Sequence, residues 1–395
     1  MTVTIYPSSP TGSVKAPPSK SMAHRLLICA GLAQGKSRIY GVSFSEDILA
    51  TIDCLKALGA DIRTEGSCVE ISGTDPEGPA CAVLPCRESG STLRFLIPVC
   101  ALSPAETRLI GSETLMKRPL AVYERLFAER GLQFRQSGNS ITVKGKLPPG
   151  TYSFAGNVSS QFASGLLFAL PLLTEASCIE LVPPVESRPY IEMTVAALRF
   201  FGIETWWKKD NAVAVSGRQC YMPRELTVEG DWSNAAFLIA MGISVTGLDK
   251  NSLQGDRICK DHFKALDEGC PELDISDCPD LGPVLFAYAS LRNGARITGT
   301  ERLRIKESDR CAAMKEELAK FGVEVRIGTN EVLVGNGAGK PNAPLNAHND
   351  HRIAMALSVL CAETGGTILG AEAVSKSFPD FFEVIKSVGI KVDTE

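Results

Sequence analysis

The segment Pro17-Pro18-Ser19-Lys20-Ser21-Met22-Ala23-His24-Arg25 decides how the rest of the chain is interpreted. It joins a short polar cluster to the apolar run from Met22 to Ala33. A serine at the end of a loop, followed by an apolar stretch of helical spacing, is typical of a helix start, and Ser19 is a good N-cap residue. The same combination returns five more times along the chain, so this helix start belongs to a repeat.

The six copies are evenly spaced, with one exception. Their helix starts are marked by Lys20, Gly90, Ser160, Asp231, Asp280 and His351. The intervals are 70, 70, 71, 49 and 71 residues, so the fourth is shorter than the others by about one helix and its loop. A second marker follows each first one after 38 to 42 residues, at Gly59, Gly131, Gly202, Gly269, Gly322 and Gly389. Each is a glycine where a helix should end and a β-rich run begin, with Gly269 the weakest copy.

Each copy therefore predicts two helices with strands between and after them. Segments such as Ile141-Thr142-Val143 and Ala212-Val213-Ala214-Val215 have the composition and alternation of strands. A chain of 395 residues exceeds one compact core, so six copies favour two α/β domains of three copies each. We expect the chain to cross between them near 15–19 and near 221–228.

Composition excludes several classes of protein. There are 41 Lys and Arg residues against 45 Asp and Glu, a net charge of −4, which argues against a general nucleic-acid binder and a polybasic membrane-surface protein. The longest nearly apolar run, Phe162 to Leu173, is too short to span a bilayer. The 13 cysteines form no C-x-x-C pair, and no secretory signal precedes Lys15. We expect reduced, mostly buried thiols in a cytoplasmic protein.

The repeated helix starts suggest an anion site. Helix N-termini carry unpaired N–H groups and a positive dipole end, so several that converge bind phosphate or carboxylate without a glycine-rich loop. Ser21 and Arg25 lie four residues apart and share a helix face. Arg118 precedes Pro119 and should project from an extended loop. Taken singly, each of these motifs fits a capped helix or a solvated cation equally well.

Metal and nucleotide sites are not supported. His348 and His351 are three apart, but no third ligand completes a set, so we predict no metal and no cofactor. The glycines from Gly335 to Gly339 precede Lys340, but Pro341 stands where a phosphate loop needs Ser or Thr.

Nine segments together resemble one family, the 5-enolpyruvylshikimate-3-phosphate synthases, or 3-phosphoshikimate 1-carboxyvinyltransferases. They occur in family order and span nearly the whole chain: Ser19-Lys20-Ser21 with Arg25, Gly90-Ser91 with Arg94, 116–119, Ser159-Ser160-Gln161, Ser187-Arg188-Pro189-Tyr190, Pro279-Asp280, 304–310, Asn349-Asp350-His351-Arg352 and Lys376-Ser377-Phe378-Pro379-Asp380.

The resemblance implies a two-domain α/β fold with three βαβαββ units in each domain, similar to an inverse α/β barrel. It places the active site in the inter-domain cleft, which closes around the substrates. In that family the first strand belongs to the C-terminal domain. We therefore expect a discontinuous domain of residues 1–15 and 228–395 and a second domain of residues 16–227.

The activity implied is transfer of the enolpyruvyl group of phosphoenolpyruvate to the 5-hydroxyl of shikimate 3-phosphate, by addition and elimination, with release of phosphate. It belongs to the shikimate pathway to chorismate and aromatic amino acids. The resemblance implies these contacts to shikimate 3-phosphate: Lys20, Ser21, Arg25, Ser159, Ser160, Gln161, Ser187, Tyr190, Asp280 and Lys306. The resemblance also implies these contacts to phosphoenolpyruvate: Lys20, Gly90, Arg118, Gln161, Arg310, Arg352 and Lys376. We expect a monomer with these two partners only.

The catalytic roles are less settled. Asp280 is the favoured base at the 5-hydroxyl and Glu307 the favoured proton shuttle at the methylene carbon. Surrounding cations stabilise an ionised carboxylate, which disfavours Glu307 as the acid unless burial compensates. Lys20 and Lys376 therefore stay open as the acid.

Three alternatives remain at this point. A related transferase acts on UDP-N-acetylglucosamine, but it typically has Asn after the first Lys, where this chain has Ser21, and the loop around Arg118 lacks its Cys. RNA 3′-phosphate cyclases need a nucleophilic His near the C-terminus. A catalytically silent binder of phosphorylated acids would have no use for Asp280 and Glu307. The chain also departs from the family at 88–91, near Arg302 and in the short segment 249–274, which leaves the contacts near Arg302 and inhibitor sensitivity open.

Overall fold

The computed structural model of the chain describes residues 1–74 and 82–395. Its strands are β1 Thr2–Tyr6, β2 Ser13–Lys15, β3 Lys36–Tyr40, β4 Asp61–Glu65, β5 Cys68–Ser72, β6 Val83–Arg87, β7 Thr107–Gly111, β8 Gln133–Ser137, β9 Ser140–Lys144, β10 Thr151–Ala155, β11 Ser177–Val182, β12 Thr205–Lys209, β13 Ala212–Val215, β14 Glu225–Thr227, β15 Ser244–Thr246, β16 Glu272–Asp274, β17 Ala295–Thr298, β18 Val325–Ile327, β19 Glu331–Val334, β20 Leu345–Asn346, β21 Gly366–Leu369 and β22 Lys391–Thr394.

Its α-helices are α1 Lys20–Leu32, α2 Glu46–Ala57, α3 Gly90–Cys100, α4 Glu113–Met116, α5 Ala121–Glu129, α6 Ser160–Ala169, α7 Arg188–Phe200, α8 Trp232–Ala240, α9 Cys259–Glu268, α10 Gly282–Leu291, α11 Arg310–Lys320, α12 His351–Thr364 and α13 Phe381–Ser387. Short 3₁₀ turns include Pro279–Leu281, Glu301–Ile305 and Ala371–Lys376. No helix in the part of the chain that the structure describes is long and apolar enough to cross a membrane.

The chain divides into two compact units, each with its own hydrophobic core. One unit consists of Met1–Ser19 and Gly230–Glu395, and the other of Lys20–Glu229. We call the first the discontinuous unit and the second the continuous unit. Their borders lie a few residues from the crossings expected near 15–19 and 221–228, at positions where short loops precede α1 and α8.

Three four-stranded sheets build the continuous unit, in the orders β14-β3-β5-β4, β6-β7-β9-β8 and β10-β11-β13-β12. In each, the first two strands run parallel and the other pairings are antiparallel. Alternate side chains are buried along strands such as β10, so one face of each sheet packs on helices. Helices α3 and α6 pack closely, since a Cβ on Gly165 would lie 2.4 Å from the carbonyl oxygen of Arg94.

The discontinuous unit repeats this plan with one reduced copy. Two sheets have the orders β16-β17-β19-β18 and β20-β21-β1-β22, and the third contains only β15 and β2. Strand β1 pairs antiparallel with β21 and β22, so the first strand of the chain completes the last sheet.

The fourth copy is shorter than the others by about the length of a helix and its loop, yet the structure keeps both of its predicted helices, α8 and α9. Within residues 230–280, all of which are described, α9 leads directly to β16, with no antiparallel strand pair of the kind that β4 and β5 form after α2. The missing residues are therefore a β-hairpin. Helices have stronger periodic signals than short strands, but length alone does not tell which element is lost.

The repeat markers otherwise lie where the sequence predicts. Lys20, Gly90, Ser160 and His351 begin helices, Asp231 is the N-cap of α8, and Asp280 lies in the 3₁₀ turn before α10. The second-marker glycines follow helices, and all but Gly269 have φ between 69° and 104°. Gly269 is extended, with φ of 172°, in keeping with its weaker match.

Candidate functional site

The predicted site residues fall into two sets, one in each unit. The continuous unit contains the Lys20 set: Lys20, Ser21, Arg25, Gly90, Arg118, Ser159, Ser160, Gln161, Ser187 and Tyr190. The discontinuous unit contains the Asp280 set: Asp280, Lys306, Glu307, Arg310, Arg352 and Lys376.

Arg25 ties three helices of the continuous unit together. Its side chain is buried and stacks over the ring of Phe95, and it donates to the carbonyls of Ser21 and Tyr190 at 2.6 and 2.8 Å. It also donates to the hydroxyl of Thr194 at 2.8 Å. Burial lowers the pKa of Arg25 to about 10, so the guanidinium stays charged at neutral pH. Most of its N–H groups are committed to the protein, so it positions α7 relative to α1 as well as adding charge.

Lys20, the first residue of α1, forms an ion pair that sequence reasoning missed. Its Nζ lies 2.8 Å from Oδ2 of Asp47, and both side chains are mostly buried. Asp47 lies in the first turn of α2, where a carboxylate is favoured by the helix dipole. An acidic residue at a helix start is so common that nothing in the sequence distinguished this one as a partner of Lys20.

Gly90 allows a close approach that any larger residue would block. It is the first residue of α3, and a Cβ there would lie 2.6 Å from Nη1 of Arg118. The guanidinium of Arg118 therefore lies directly over the start of this helix. The fold thus brings Gly90 close to Arg118, and both residues were predicted to contact phosphoenolpyruvate.

Arg94 also belongs to this surface, although we assigned it no contact. Its Nη1 donates to Oε1 of Gln161 at 2.7 Å, and Nε2 of Gln161 donates to the hydroxyl of Ser91 at 3.0 Å. The side chain of Gln161 therefore joins the starts of α3 and α6. Ser159 caps α6 by accepting from the amide of Gln161.

Ser187 and Tyr190 lie at the start of α7. Ser187 is buried in a left-handed conformation, with φ of 55°, and immediately precedes the helix. The carbonyl of Tyr190 accepts from Arg25, which places this helix start beside α1.

A buried chain of hydroxyl groups links the helices that carry Lys20 and Gly90. Nδ1 of His24 lies 2.7 Å from Oγ1 of Thr51, which lies 2.7 Å from Oγ1 of Thr92, and Thr92 donates to Oγ of Ser89 at 2.7 Å. Burial, followed by the charges of Lys20 and Arg25, holds the pKa of His24 well below 6.5. His24 is therefore neutral, and the chain connects α1, α2 and α3 through uncharged hydrogen bonds.

Asp280 lies at the centre of the Asp280 set. Its Oδ1 accepts from Nζ of Lys306 at 3.4 Å and from Nη1 of Arg310 at 3.0 Å. Its Oδ2 accepts from Nη2 of Arg352 at 3.0 Å. Burial by itself would raise the pKa of Asp280, but Arg352, Lys306 and Arg310 together hold the pKa well below its ordinary value. The carboxylate is therefore ionised at neutral pH.

Arg310 is almost fully buried and holds three carboxylates. Besides Asp280, it donates to Glu307 at 2.6 Å and to Asp350 at 2.9 Å. Burial opposes its charge, but Asp350, Glu307 and Asp280 outweigh burial and raise its pKa. Asp350 accepts from the amide of Arg352 and so caps α12. Asp350 has no role predicted from the sequence, because its full burial is known only from the structure.

Lys376 and Lys306 are the other two cations of the Asp280 set. Nζ of Lys376, at the end of a 3₁₀ turn, donates to the carbonyl of Asn349 at 2.7 Å. Burial lowers the pKa of Lys306, an effect that Asp280 opposes. Arg302, whose contacts could not be predicted from the sequence, is buried and donates to the carbonyl of Ser276.

The two sets differ in their charge balance. Lys20, Arg25 and Arg118, with Arg94, give four cations against the one carboxylate of Asp47, 4 − 1 = +3. The Asp280 set has the four cations Lys306, Arg310, Arg352 and Lys376 against Asp280, Glu307 and Asp350, 4 − 3 = +1. The more cationic Lys20 set is suited to holding polyanions, whereas the Asp280 set places ionised carboxylates among its cations.

Comparison with known proteins supplies the family. The family model described as EPSP synthase (3-phosphoshikimate 1-carboxyvinyltransferase) matches residues 6–385. A 3-phosphoshikimate 1-carboxyvinyltransferase from Clostridium kluyveri is 40% identical over 417 residues, covering 99% of this chain and 98% of that protein. One from Clostridioides difficile strain 630 is 38% identical over 427 residues, covering 98% of each.

Solved structures give the fold independently. Two structures of EPSP synthase from Acinetobacter baumannii cover the whole of both chains, with TM-scores of 0.79 and 0.80 at 24% and 22% identity. At that identity the likeness concerns the fold, and it agrees with the two-domain α/β architecture expected from the six repeats.

Proposed function

Since the chain belongs to the EPSP synthase family, we propose which of its residues carry out the reaction of that family. The enzyme is a transferase. It moves the enolpyruvyl, or carboxyvinyl, group of phosphoenolpyruvate onto the 5-hydroxyl of shikimate 3-phosphate and releases phosphate, as a step of the shikimate pathway.

We propose that both sets of residues act on the same pair of substrates. Shikimate 3-phosphate contacts Lys20, Ser21, Arg25, Ser159, Ser160, Gln161, Ser187, Tyr190, Asp280 and Lys306. Phosphoenolpyruvate contacts Lys20, Gly90, Arg118, Gln161, Arg310, Arg352 and Lys376. The support is the charge balance, because each substrate carries about three negative charges. Two unit charges about 4 Å apart repel by roughly 1 kcal/mol in water and by about 4 kcal/mol at an effective dielectric near 20.

One observation carries the assignment of the base: the carboxylate of Asp280 accepts from three cationic side chains at once. An anion binder alone has no need of a carboxylate there. A carboxylate with so low a pKa is a weak base, yet Arg310 and Arg352 are the residues proposed to bind the carboxylate of phosphoenolpyruvate. When they turn toward that ligand, Asp280 loses two donors and gains an anionic neighbour, and both changes raise its pKa. Phosphoenolpyruvate would thereby activate the base.

Three residues are candidates for the acid that protonates the methylene carbon. Glu307 accepts a short hydrogen bond from Arg310, which stabilises its ionised form. Release of that bond on ligand binding would let Glu307 carry a proton, so we keep it as the proton shuttle. Lys20 and Lys376 remain the alternative acids. No metal or cofactor enters this scheme, and we propose a monomer in the cytoplasm with no nucleic-acid or membrane partner.

The test is phosphate release from phosphoenolpyruvate that depends on shikimate 3-phosphate. Purified protein should release phosphate only when both substrates are present. Tight binding of both by calorimetry, without release, would instead identify a silent binding protein. Release with UDP-N-acetylglucosamine in place of shikimate 3-phosphate would point to the related transferase.

A further inference from the structure

Glu317 is a buried carboxylate that the proposed mechanism does not use. It lies on α11, seven residues after Arg310, and its side chain is fully buried. Both of its oxygens accept from Nζ of Lys320 at 2.9 Å, one accepts from the amide of Asn346 at 3.0 Å, and the other lies 2.9 Å from Nε2 of His348. The groups that contact Glu317 therefore come from two parts of the chain. Lys320 lies on α11, and Asn346 and His348 lie in the segment before α12.

The segment that Glu317 contacts has an unusual backbone. His348 and Asn349 are consecutive residues with φ of 50° and 52°, the left-handed region that non-glycine residues seldom adopt. Asn tolerates this region, but two such residues in a row persist only when their surroundings hold them. The amide of His348 donates to Oδ1 of Asn346 at 2.8 Å, and its ring reaches Glu317. The imidazole therefore anchors the turn to α11.

This turn presents the groups on which the Asp280 set depends. The carbonyl of Asn349 accepts from Lys376. The next residue, Asp350, caps α12 in front of Arg352 and binds Arg310. Three residues assigned to phosphoenolpyruvate, Lys376, Arg352 and Arg310, thus each contact the backbone or side chain immediately after His348.

We propose that Glu317 and His348 form a positioning ion pair, which holds the 348–350 turn so that Lys376, Arg352 and Arg310 are placed for phosphoenolpyruvate, and that affinity for this substrate falls as pH rises and His348 loses its proton. The proposal rests on the site assigned above. Neither residue is among those assigned to a substrate, so both are proposed as positioning residues.

The charges around His348 support this pH dependence. The hydrogen bond that His348 donates to Glu317 raises the pKa of His348 above 6.5, burial opposes the rise, Glu316 adds to it and Lys320 opposes it. Conversely, burial would raise the pKa of Glu317, but His348, Lys320 and the amide of Asn346 lower it below 4.5. The ion pair is therefore complete below pH 6.5, down to the lowered pKa of Glu317, and it weakens as pH rises through the raised pKa of His348.

The same residues also have the composition of a cation site. Ligand atoms of Glu316, Glu317 and His348 lie within 4.8 Å of one another. The ammonium of Lys320 already contacts both carboxylate oxygens of Glu317, and the imidazole of His348 contacts one of them. The carboxylate is thus matched by side-chain cations, which favours an ion pair over metal binding.

The experiment compares the wild type with His348→Gln, in which an amide can donate to Glu317 but carries no charge. KM for phosphoenolpyruvate and kcat are measured from pH 6 to pH 9. Ionisation of the substrate is common to both proteins, so the readout is the ratio of their KM values. We expect this ratio to be about tenfold at pH 6 and to approach unity at pH 9, with kcat little changed. A ratio that is the same at every pH would overturn the proposal.

The control is His262→Gln, which removes a buried imidazole that lies on α9 and whose pKa burial lowers. It should have a flat ratio near unity. If His348→Gln does not fold, the titration of His348 in the wild type is followed by NMR, with and without phosphoenolpyruvate. The substrate should raise the pKa of His348 further, by linkage, and an unchanged value would contradict the proposal. A wild type that releases no phosphate refutes the proposed function instead, which keeps the two failures apart.

Discussion

The Nε of Arg310 donates to Oδ2 of Asp350 at 2.9 Å, and both side chains are almost completely buried. Asp350 also caps α12, so one carboxylate fixes the start of that helix and the guanidinium that begins α11. A buried ion pair is costly to break from one side, because the remaining charge has no compensation.

Removal of this carboxylate should therefore destabilise the discontinuous unit. Asp350→Ala is expected to lower the free energy of unfolding by about 3–5 kcal/mol, measured by urea denaturation. The matched control is Glu324→Gln, which breaks the exposed pair of Arg326 and Glu324 at a similar distance of 2.7 Å. That change should cost less than about 1 kcal/mol. Equal losses would mean that burial is not what gives Asp350 its importance.

Asp280→Asn tests the base. The amide keeps the shape and one acceptor oxygen while it removes the charge that the neighbouring cations now balance. We expect kcat to fall by about 10²–10⁴-fold, with KM for both polyanionic substrates unchanged or lower. Asp280→Ala is a poorer test, because it leaves Arg310, Arg352 and Lys306 without this shared acceptor. Turnover near the wild-type rate in Asp280→Asn would exclude the base assignment.

Gly90→Ala tests the approach of Arg118 to α3. The new Cβ would meet the far end of a flexible side chain, so the helix should stay intact while the guanidinium moves away. We expect KM for phosphoenolpyruvate to rise about tenfold and the free energy of unfolding to change by less than about 1 kcal/mol. Gly269→Ala serves as control, since nothing lies within 4 Å of the position that a Cβ would take there and its backbone is extended. If both variants bind phosphoenolpyruvate like the wild type, Arg118 has no place at this site.

Thr92→Val interrupts the hydroxyl chain between His24 and Ser89. Valine has the shape of threonine, so packing is retained, but Thr51 and Ser89 lose a buried partner. The expected loss is about 1–3 kcal/mol in the free energy of unfolding, together with weaker binding of shikimate 3-phosphate, because α1 and α3 are no longer linked. The double variant Thr51→Val with Thr92→Val should lose less than the sum of the single losses, since the first change already removes their shared bond. Strict additivity would show that the two hydroxyls act independently.

The repeated helix starts could be predicted before the fold was known, whereas the substrate contacts of the candidate site stay predictions. Helix N-caps, glycines after helices and evenly spaced apolar runs are local signals, and Lys20, Gly90, Ser160 and His351 indeed begin helices. The shortened fourth interval showed that residues are missing there, but not that they are a β-hairpin, because length alone does not identify the element.

What the sequence by itself determined is therefore the local elements, their sixfold recurrence and the residue types of an anion site, since each depends on neighbours along the chain. The tertiary structure alone decided the partners: Asp47 for Lys20, Asp350 for Arg310, and Glu317 for His348. Those pairs are 27, 40 and 31 residues apart in sequence. The energy of each ion pair depends on how deeply it is buried and on how its two side chains are oriented. Both are set only when helices from distant parts of the chain pack against each other.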